Sequence, residues 1–420
     1  MIRRVQIRNY RALRSIDVRL DRFHLLIGPN ASGKTTFFDA LAFVRDVVTL
    51  DVPRAFYGDA QRGTPPRCAN PNELTWQKKG GAIEIAIELQ LPQEVAARSK
   101  HRVARYELRV LTEPEIGIGL ETLFVIRDPT TEPPAKPREQ FPLPLSHDEP
   151  ILHERRSPVP RSWKTVVEKT PRLDWFTSET RRWNAAFKID PSQSALGSLP
   201  PDAGLFPAAL SVRRTFAEQL FVLALDWHAL RRPAPPGLGR TLRPDGSNLP
   251  WAVDRLEREA PERLAAWWAH VRTALPDLQT ITTKRRDEDG SRYLEVTYAS
   301  GVTLPSWLLS DGTLRLLALT VLPYLTLPAS LVLIEEPENG LHPQAIEPVL
   351  QSLRSVYDAQ VLCASHSPVV LGLSEPRDLL CFGKDASGAV DIVRGDQHPR
   401  LREWREGTDL ALLFASGVLG

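Results

Sequence analysis

An eight-residue segment at positions 28–35 restricts the possible folds of this chain more than any other sequence feature. It reads GPNASGKT and fits the pattern G-x-x-x-x-G-K-[ST] in full. An apolar run at 23–27 precedes it, and apolar residues at helical spacing follow it from 34 to 48. A strand, a glycine-rich turn and a helix in this order are the setting that a phosphate-binding loop requires.

The residue types of this segment predict its chemistry. Glycines let backbone N–H groups face phosphate oxygens, and the helix N-terminus adds a favourable dipole. We expect Lys34 to reach the β- and γ-phosphates of ATP, and the Thr35 hydroxyl to ligate Mg²⁺. A chance glycine-rich turn is the alternative, and the correct flanking elements argue against it. The predicted nucleotide-binding residues of the loop are Gly28, Pro29, Asn30, Ala31, Ser32, Gly33, Lys34, Thr35 and Thr36.

A second polar feature is the apolar run LVLIEE at 331–336, which reads as a strand that ends in two carboxylates. Because successive strand residues point to opposite faces, Glu335 and Glu336 can have different roles. We predict that Glu335 lies on the Mg²⁺ side and that Glu336 is the general base for the attacking water. Glu335 stands where P-loop ATPases usually have aspartate. The alternative is an acidic pair that stabilises a helix start.

Three further motifs resemble those of ABC-type ATPases and follow in the order typical of that family. LSDGT at 309–313 resembles the ABC signature, and PENGLHP at 337–343 occupies the D-loop position. ASHSP at 364–368 follows an apolar strand, where the switch histidine belongs. Each motif is short, but their order around the phosphate loop and the acidic strand predicts one shared ATPase site.

This resemblance implies roles for individual residues. Ser310 and Gly312 would contact the γ-phosphate in trans, at a nucleotide held by the phosphate loop of a second subunit. His366 would sense the same phosphate. The predicted catalytic residues are therefore Lys34, Glu336 and His366, and the predicted metal ligands are Thr35 and Glu335.

The sequence IEEPENGLHP at 334–343 resembles, more narrowly, the RecF/SMC-like branch and the bacterial AAA ATPases related to the OLD ATPases. NYR at 9–11 and PDGSN at 244–248 resemble the same group. The resemblance implies a homodimer, open to higher assembly, with ATP and Mg²⁺ between its heads. It also implies a function in DNA repair, chromosome handling or phage defence, with DNA as a further ligand.

Two features depart from that branch. The long coiled coils of SMC proteins are not visible, and only 54 of the 420 residues follow His366, too few for the Toprim nuclease domain of OLD nucleases. We therefore expect a separate effector protein, such as a Toprim-like nuclease. The apolar run at 410–414 could dock that partner or cap the head. Gln77 is the candidate for the Q-loop.

The predicted fold class is α/β: an ABC-type P-loop ATPase head, with a mixed sheet flanked by helices, and an inserted α+β or helical lobe. Residues 1–130 and 276–420 are predicted to form the head, and 131–275 a mostly helical insertion with a basic, proline-rich segment. Alternating or apolar runs predict antiparallel strands at 83–91, 104–111 and 120–126, whereas helical spacing predicts helices at 208–230 and 250–274. A hairpin is expected around Asp289-Gly290.

Composition excludes some classes of protein and leaves others open. The 53 basic and 51 acidic residues balance, so a DNA-binding surface would have to be local. Three distant cysteines make a disulfide framework or a zinc site unexpected and fit a reducing cytoplasm. The N-terminus has no apolar run of signal-peptide type. The apolar stretch 314–334 contains Arg315 and two prolines, so we expect a buried helix and strand instead of a membrane span.

The segment 151–185 is the local basic patch. It contains eight basic and four acidic residues, interleaved with three tryptophans and a phenylalanine. Such a pattern suits phosphate neutralisation and base stacking, and it equally suits a solvated basic face with tryptophans in the core. The basic residues are Arg155, Arg156, Arg161, Lys164, Lys169, Arg172, Arg181 and Arg182. Trp267 and Trp268 are expected in a helix core.

Three functions are compatible with these features. The first is a dimeric ATP-hydrolysing switch coupled to DNA sensing in defence or repair. The second is the ATP-binding subunit of a membrane transporter, against which the long insertion and Glu335 argue. The third is a nucleotide-gated scaffold with little turnover, which an ATPase assay with and without DNA would separate from the first.

Overall fold

The computed structural model describes residues 1–127, 138–143, 150–153, 159–327, 331–401 and 410. Arg155 and Arg156 of the basic patch and residues 411–414 of the C-terminal apolar run lie outside the described residues.

Runs of consecutive strands are separated by helices along the chain. The strands are β1 (Ile2–Tyr10), β2 (Leu13–Arg19), β3 (Phe23–Ile27), β4 (Ala82–Gln90), β5 (Val103–Leu111), β6 (Gly117–Ile126), β7 (Trp163–Lys169), β8 (Asp174–Thr177), β9 (Asn184–Phe187), β10 (Leu220–Leu223), β11 (Leu278–Arg285), β12 (Arg292–Tyr298), β13 (Thr303–Pro305), β14 (Leu331–Glu335), β15 (Gln360–Ala364), β16 (Leu379–Lys384) and β17 (Val390–Arg394). The helices are α1 (Lys34–Thr49), α2 (Val52–Tyr57), α3 (Gln93–Ser99), α4 (Pro207–Ala217), α5 (Trp227–Arg231), α6 (Leu249–Glu259), α7 (Pro261–Val271), α8 (Asp311–Thr320), α9 (Pro343–Arg354) and α10 (Pro368–Gly372).

A six-stranded sheet in the order β10-β14-β15-β3-β16-β17 forms the centre of the molecule. Its first five strands are parallel, and β17 pairs antiparallel with β16. The strands are apolar on both faces because each face is covered, as is usual for parallel sheets. Leu26 and Leu333 face one hydrophobic core with α1 and α4, whereas Leu25 and Val332 face a second core with α6 to α9.

An eight-stranded antiparallel sheet, ordered β2-β1-β4-β5-β6-β7-β8-β9, covers the first core. The predicted strands at 83–91, 104–111 and 120–126 are confirmed as β4, β5 and β6. Much of the basic patch was expected in a mostly helical lobe, and it instead supplies β7, β8 and β9 to this sheet. These strands have only four to seven residues, which is too short for a clear alternating pattern.

The helix predicted at 208–230 is confirmed over α4 and again at the start of α5, and it is wrong over the residues between them. Helix α4 ends at Ala217, and the apolar run that follows is strand β10, paired in parallel with β14. Burial of that run against the sheet edge decides its conformation, because a short apolar run has no diagnostic period. The helix predicted at 250–274 is broken at Ala260, since Pro261 starts a new helix and restricts the residue before it.

The hairpin around Asp289-Gly290 is confirmed: β11 and β12 are antiparallel, and Gly290 has a φ of +70°. With β13 they form a three-stranded sheet that packs on α6 and α7. Trp267 is fully buried in the core, as expected, and its indole N–H donates to the Thr320 hydroxyl at 3.0 Å. The apolar stretch 314–334 forms most of α8 and β14, and no described helix is long and apolar enough to cross a membrane.

Candidate active site

The carboxyl ends of β3, β14 and β15 meet at one edge of the parallel sheet. Strand β15 lies between the other two, with Ala364 in register with both Glu335 and Leu26. The phosphate loop follows β3, the two glutamates end β14, and His366 follows β15. The topology therefore brings together the three predicted elements that lie far apart in the sequence, at the edge where α/β sheets usually bind ligands.

The phosphate loop needs its glycines because of both conformation and packing. Gly28 and Gly33 have φ angles of +149° and +101°, which strongly favour glycine. A Cβ atom on Gly28 would lie 2.5 Å from the carbonyl oxygen of Phe382, and one on Gly33 would lie 2.8 Å from Cγ2 of Val390. Strands β16 and β17 therefore hold the loop close and fix its curvature.

Lys34 starts α1 and points back into the loop. Its Nζ donates to the carbonyl oxygens of Gly28 at 2.7 Å and Pro29 at 3.0 Å. Burial lowers the pKa of Lys34, while the charges of Glu336 and Glu335 act to raise it. The ammonium group thus shares one electrostatic environment with both carboxylates, although no direct pair forms among these three residues.

Glu336 has a strained backbone that its neighbours hold in place. Its φ is +47°, a left-handed conformation that costs about 1–3 kcal/mol for a residue other than glycine. Its N–H donates to the carbonyl of Ala364 at 2.8 Å, and its carbonyl accepts from Asn339 N–H at 3.0 Å and Arg315 Nη2 at 3.2 Å. These contacts turn the chain sharply after β14, so that Glu335 and Glu336 leave the strand in different directions.

The side chain of Glu336 has only a loose partner. Its Oε1 lies 3.4 Å from Nδ1 of His366, and the two side chains are 45% and 46% exposed. Glu335 is also exposed. Carboxylate oxygens of Glu336 therefore remain accessible to a water molecule beside the imidazole of His366.

A second set of contacts, which the sequence analysis did not identify, links the D-loop to the switch segment. Ser365 Oγ donates to Glu338 Oε1 at 2.5 Å and accepts from Ser367 N–H at 3.0 Å. Burial lowers the pKa of Arg315, and the charges of Glu338 and Glu336 raise it. Arg315 is the one charged residue in the apolar part of α8, and that isolation was the signal that could have identified it.

Ser310 and Gly312 lie at the N-terminus of α8. The Ser310 hydroxyl caps the helix by accepting from Thr313 N–H at 3.1 Å, and the residue is exposed. A Cβ atom on Gly312 would lie 2.8 Å from the carbonyl oxygen of Gly340, so the signature and the D-loop touch within one chain. The contact of both residues with a second subunit's nucleotide stays a prediction.

The Asn9 motif and the Q-loop candidate lie in one region. Asn9 Nδ2 donates to the carbonyl of Ala82 at 2.8 Å, and its Oδ1 accepts from Trp76 N–H at 2.9 Å. Gln77 follows, exposed and with a φ of +52°. Asn9 thus anchors the turn that carries Gln77, whose role in nucleotide binding stays a prediction.

Fold and site together are those of an ABC-type P-loop ATPase head, as the sequence motifs predicted. Residues 23–372 match the family described as "AAA domain, putative AbiEii toxin, Type IV TA system". The chain belongs to this family. The sequence matches no curated protein.

The fold is similar to that of SMC head domains. An SMC head bound to the C-winged helix domain of ScpA superposes with a TM-score of 0.53 at 11% identity, over 93% of this chain and 97% of that one. An SMC head with an extended coiled coil, bound to the C-terminal domain of ScpA from Pyrococcus furiosus, gives a TM-score of 0.48 at 11% identity, over 93% and 95%. The first of these superpositions confirms the predicted α/β fold of an ATPase head.

Proposed function

We propose that this protein is an ATP-hydrolysing switch that is active as a homodimer. One observation carries the proposal: a phosphate-loop lysine, an exposed glutamate on a strained backbone and a histidine meet at one sheet edge. The lysine would bind phosphate, the glutamate would activate water, and the histidine would respond to a bound γ-phosphate. The signature residues at the start of α8 would complete the site of a second subunit.

Lys34 and Glu336 would act on opposite sides of the transferred phosphoryl group. On binding, the Lys34 ammonium turns from the carbonyls of Gly28 and Pro29 to the β- and γ-phosphates. Glu336 orients a water molecule for in-line attack and accepts its proton, because its carboxylate is exposed and only loosely paired. His366 lies beside this carboxylate and would donate a hydrogen bond to the γ-phosphate.

The donor set also fits Mg²⁺. The metal prefers hard oxygen ligands, and the exposed Thr35 hydroxyl and exposed Glu335 carboxylate are of that kind. The charges of Glu336 and Glu335 both act to raise the pKa of Lys34, which supports a position of Glu335 near the phosphate loop. When bound, Mg²⁺ would neutralise charge on the β- and γ-phosphates. Thr35 and Glu335 would hold it, Glu335 directly or through water.

Replacement of Lys34 by alanine tests the nucleotide site. The Lys34→Ala change removes the ammonium group that would contact the phosphates. We therefore expect ATP affinity to fall at least about 100-fold, or about 2.7 kcal/mol. Isothermal titration with ATP and Mg²⁺ measures this, and circular dichroism checks folding. Lys188→Ala, at an exposed lysine far from the loop, is the matched control. Wild-type affinity in a folded Lys34→Ala protein would refute the assignment.

The shared site is tested by mixing two inactive variants. Ser310→Arg puts bulk and charge at the partner's γ-phosphate, and we expect this variant and Lys34→Ala each to lose turnover. A mixture of the two should recover at most one composite site per dimer. Ser300→Arg, at an exposed turn serine, is the control for the introduced arginine. A shared site would be contradicted if the protein were a monomer and its ATP turnover per chain did not change with protein concentration.

The biological setting that we propose is phage defence or DNA repair, through a separate effector. The family description, which names a toxin of a type IV toxin–antitoxin system, supports a defence setting. ATP hydrolysis changes the shape of a head dimer, and an output requires a partner that binds the two shapes differently. Purification of the tagged chain from its own cells with ATP should retain that partner, such as a Toprim-like nuclease. Recovery of the chain alone under these conditions would argue against a stable effector complex.

A further inference from the structure

A basic cleft lies beside the signature helix, outside the candidate active site. It has a volume of about 620 Å³, which is within the range of about 300–1,000 Å³ that is common for ligand sites. The end of α5, the β11–β12 turn and the segment before the signature line it. The lining residues on which the inference rests are Arg231, Arg232, Arg285, Arg286, Tyr293 and Trp307.

The charge of the cleft is unbalanced. Four arginines line it against two acidic residues, Asp287 and Glu288. Arg232 and Arg285 are exposed, and the described part of the chain offers no carboxylate within 4 Å of either guanidinium. The ion pairs of Arg286 are long, with Asp289 at 3.8 Å and Glu288 at 3.9 Å. At least two guanidinium groups can therefore bind a phosphate without breaking an existing ion pair.

An exposed aromatic surface adjoins these arginines. The rings of Tyr293 and Trp307 lie 4.9 Å apart at their centroids, and Trp307 is 43% exposed. Tyr293 contacts the indole at an interplanar angle of 55°, and the exposed part of the indole can accept a flat ring. Arginines beside an exposed aromatic ring are the combination that binds a nucleobase together with its phosphate.

We propose that this cleft binds a nucleotidyl unit, with its base stacked on Trp307 and its phosphate held by Arg232 and Arg285. The unit is either a free mononucleotide or part of a single strand of nucleic acid, because both present the same base and phosphate. An acidic protein segment fits less well, since it would use the arginines and leave the indole without a stacking partner.

The cleft is connected to the signature through Arg231. Its Nε donates to Asp311 Oδ1 at 2.9 Å, and its Nη1 donates to the carbonyl of Trp307 at 3.1 Å. Asp311 is the first residue of α8 and follows the signature residue Ser310. Arg231 therefore joins the backbone of Trp307 in the cleft to the first residue of the signature helix, which gives the second site a route to the first.

The test uses the Lys34→Ala protein, so that binding at the phosphate loop does not contribute and failure of the ATPase proposal remains distinguishable. A short fluorescein-labelled oligothymidylate is titrated and followed by anisotropy, and adenosine monophosphate and polyglutamate serve as competitors. The charge variant is Arg232→Glu with Arg285→Glu, and the stacking variant is Trp307→Ala. Their controls are Arg214→Glu with Arg377→Glu, and Tyr357→Ala, at exposed residues outside the cleft.

We expect the charge variant to weaken oligothymidylate binding about tenfold and to flatten its log–log salt slope by about 1.4, since each single-strand phosphate contact contributes about 0.7. Trp307→Ala should weaken binding about tenfold with an unchanged slope. Competition by the monophosphate would identify a free nucleotide as a ligand, and its failure would identify a strand. Equal losses in the cleft and control variants, displacement by polyglutamate alone, or no binding would overturn the proposal.

Discussion

Two glutamates of this protein, one buried and one half-exposed, show how a structural carboxylate differs from the carboxylate that we propose as the general base. Glu121, in the antiparallel sheet, is fully buried and accepts four hydrogen bonds at 2.6–3.1 Å, from Tyr106, Ser194, Ala195 and Leu196. Burial raises its pKa. Glu336, at the edge of the parallel sheet, has one loose side-chain contact of 3.4 Å and a strained backbone. A carboxylate whose two oxygens both accept hydrogen bonds holds chain segments together, whereas one with open acceptors can bind water.

The largest effect that this comparison predicts is on turnover. Glu336→Gln keeps shape but cannot accept a proton, so we expect kcat to fall at least about 100-fold with ATP affinity within about twofold. The same change at Glu121 should leave kcat unchanged and lower the free energy of unfolding by about 1–3 kcal/mol, because an amide N–H₂ would meet donors that need an acceptor. ATPase assays and denaturant titration measure both. If Glu121→Gln lowered kcat and Glu336→Gln lowered only stability, the distinction between the two carboxylates would be wrong.

The sequence could predict those parts of the site that depend on local pattern. The loop at 28–35 directly follows an apolar run, and the acid pair at 335–336 ends one, so both could be located from the predicted strands. The alternation of strands and helices also predicted that the strands pair in parallel. Strands β7, β8, β9 and β10 could not be predicted, because short runs become strands only when a sheet edge is available to pair with them. The hydrogen bond from Arg315 to Glu336 likewise depends on how α8 packs.

Two histidines extend the comparison to stability and pH. His24 in β3 is fully buried, its Nε2 accepts from Asp21 N–H at 2.8 Å, and its Nδ1 lies 3.2 Å from the carbonyl of Asp378. Burial lowers the pKa of His24 to about 4. In the unfolded chain this histidine has the ordinary pKa of about 6.5. Between pH 6.5 and pH 4 the unfolded chain therefore binds a proton at this residue that the folded protein does not bind. Stability from this residue is complete above about pH 6.5 and falls as the pH drops toward 4.

We expect His24 to contribute about 3 kcal/mol to the loss of stability between pH 6.5 and pH 4. Glutamine does not titrate, so unfolding of His24→Gln should take up about one proton fewer than unfolding of the wild type over that interval. Its free energy of unfolding should therefore fall less steeply as the pH drops. His228→Gln, at an exposed histidine, is the matched control for the substitution. Chemical denaturation at a series of pH values measures all three proteins. Parallel curves for wild type and His24→Gln would show that another group controls the acid sensitivity.

The smallest predicted effect concerns the basic patch. Its members, like the two glutamates, include both buried side chains with hydrogen-bond partners and exposed ones. Lys169 is buried, and its Nζ donates to the carbonyl oxygens of Ile189 at 3.3 Å and Asp190 at 3.1 Å, so it belongs to the fold. Arg181 and Arg182 are exposed and can neutralise phosphates.

If the patch binds DNA non-specifically, replacing Arg181 and Arg182 by glutamate should flatten the log–log salt slope by about 1.8, since each contact with duplex DNA contributes about 0.9. Arg155 and Arg156 were predicted to contribute too, and a second variant that adds them would double the change. Arg214→Glu with Arg377→Glu controls for net charge. An unchanged slope in both patch variants would favour the alternative interpretation, in which the arginines form a solvated face and the patch serves only as the edge of the antiparallel sheet.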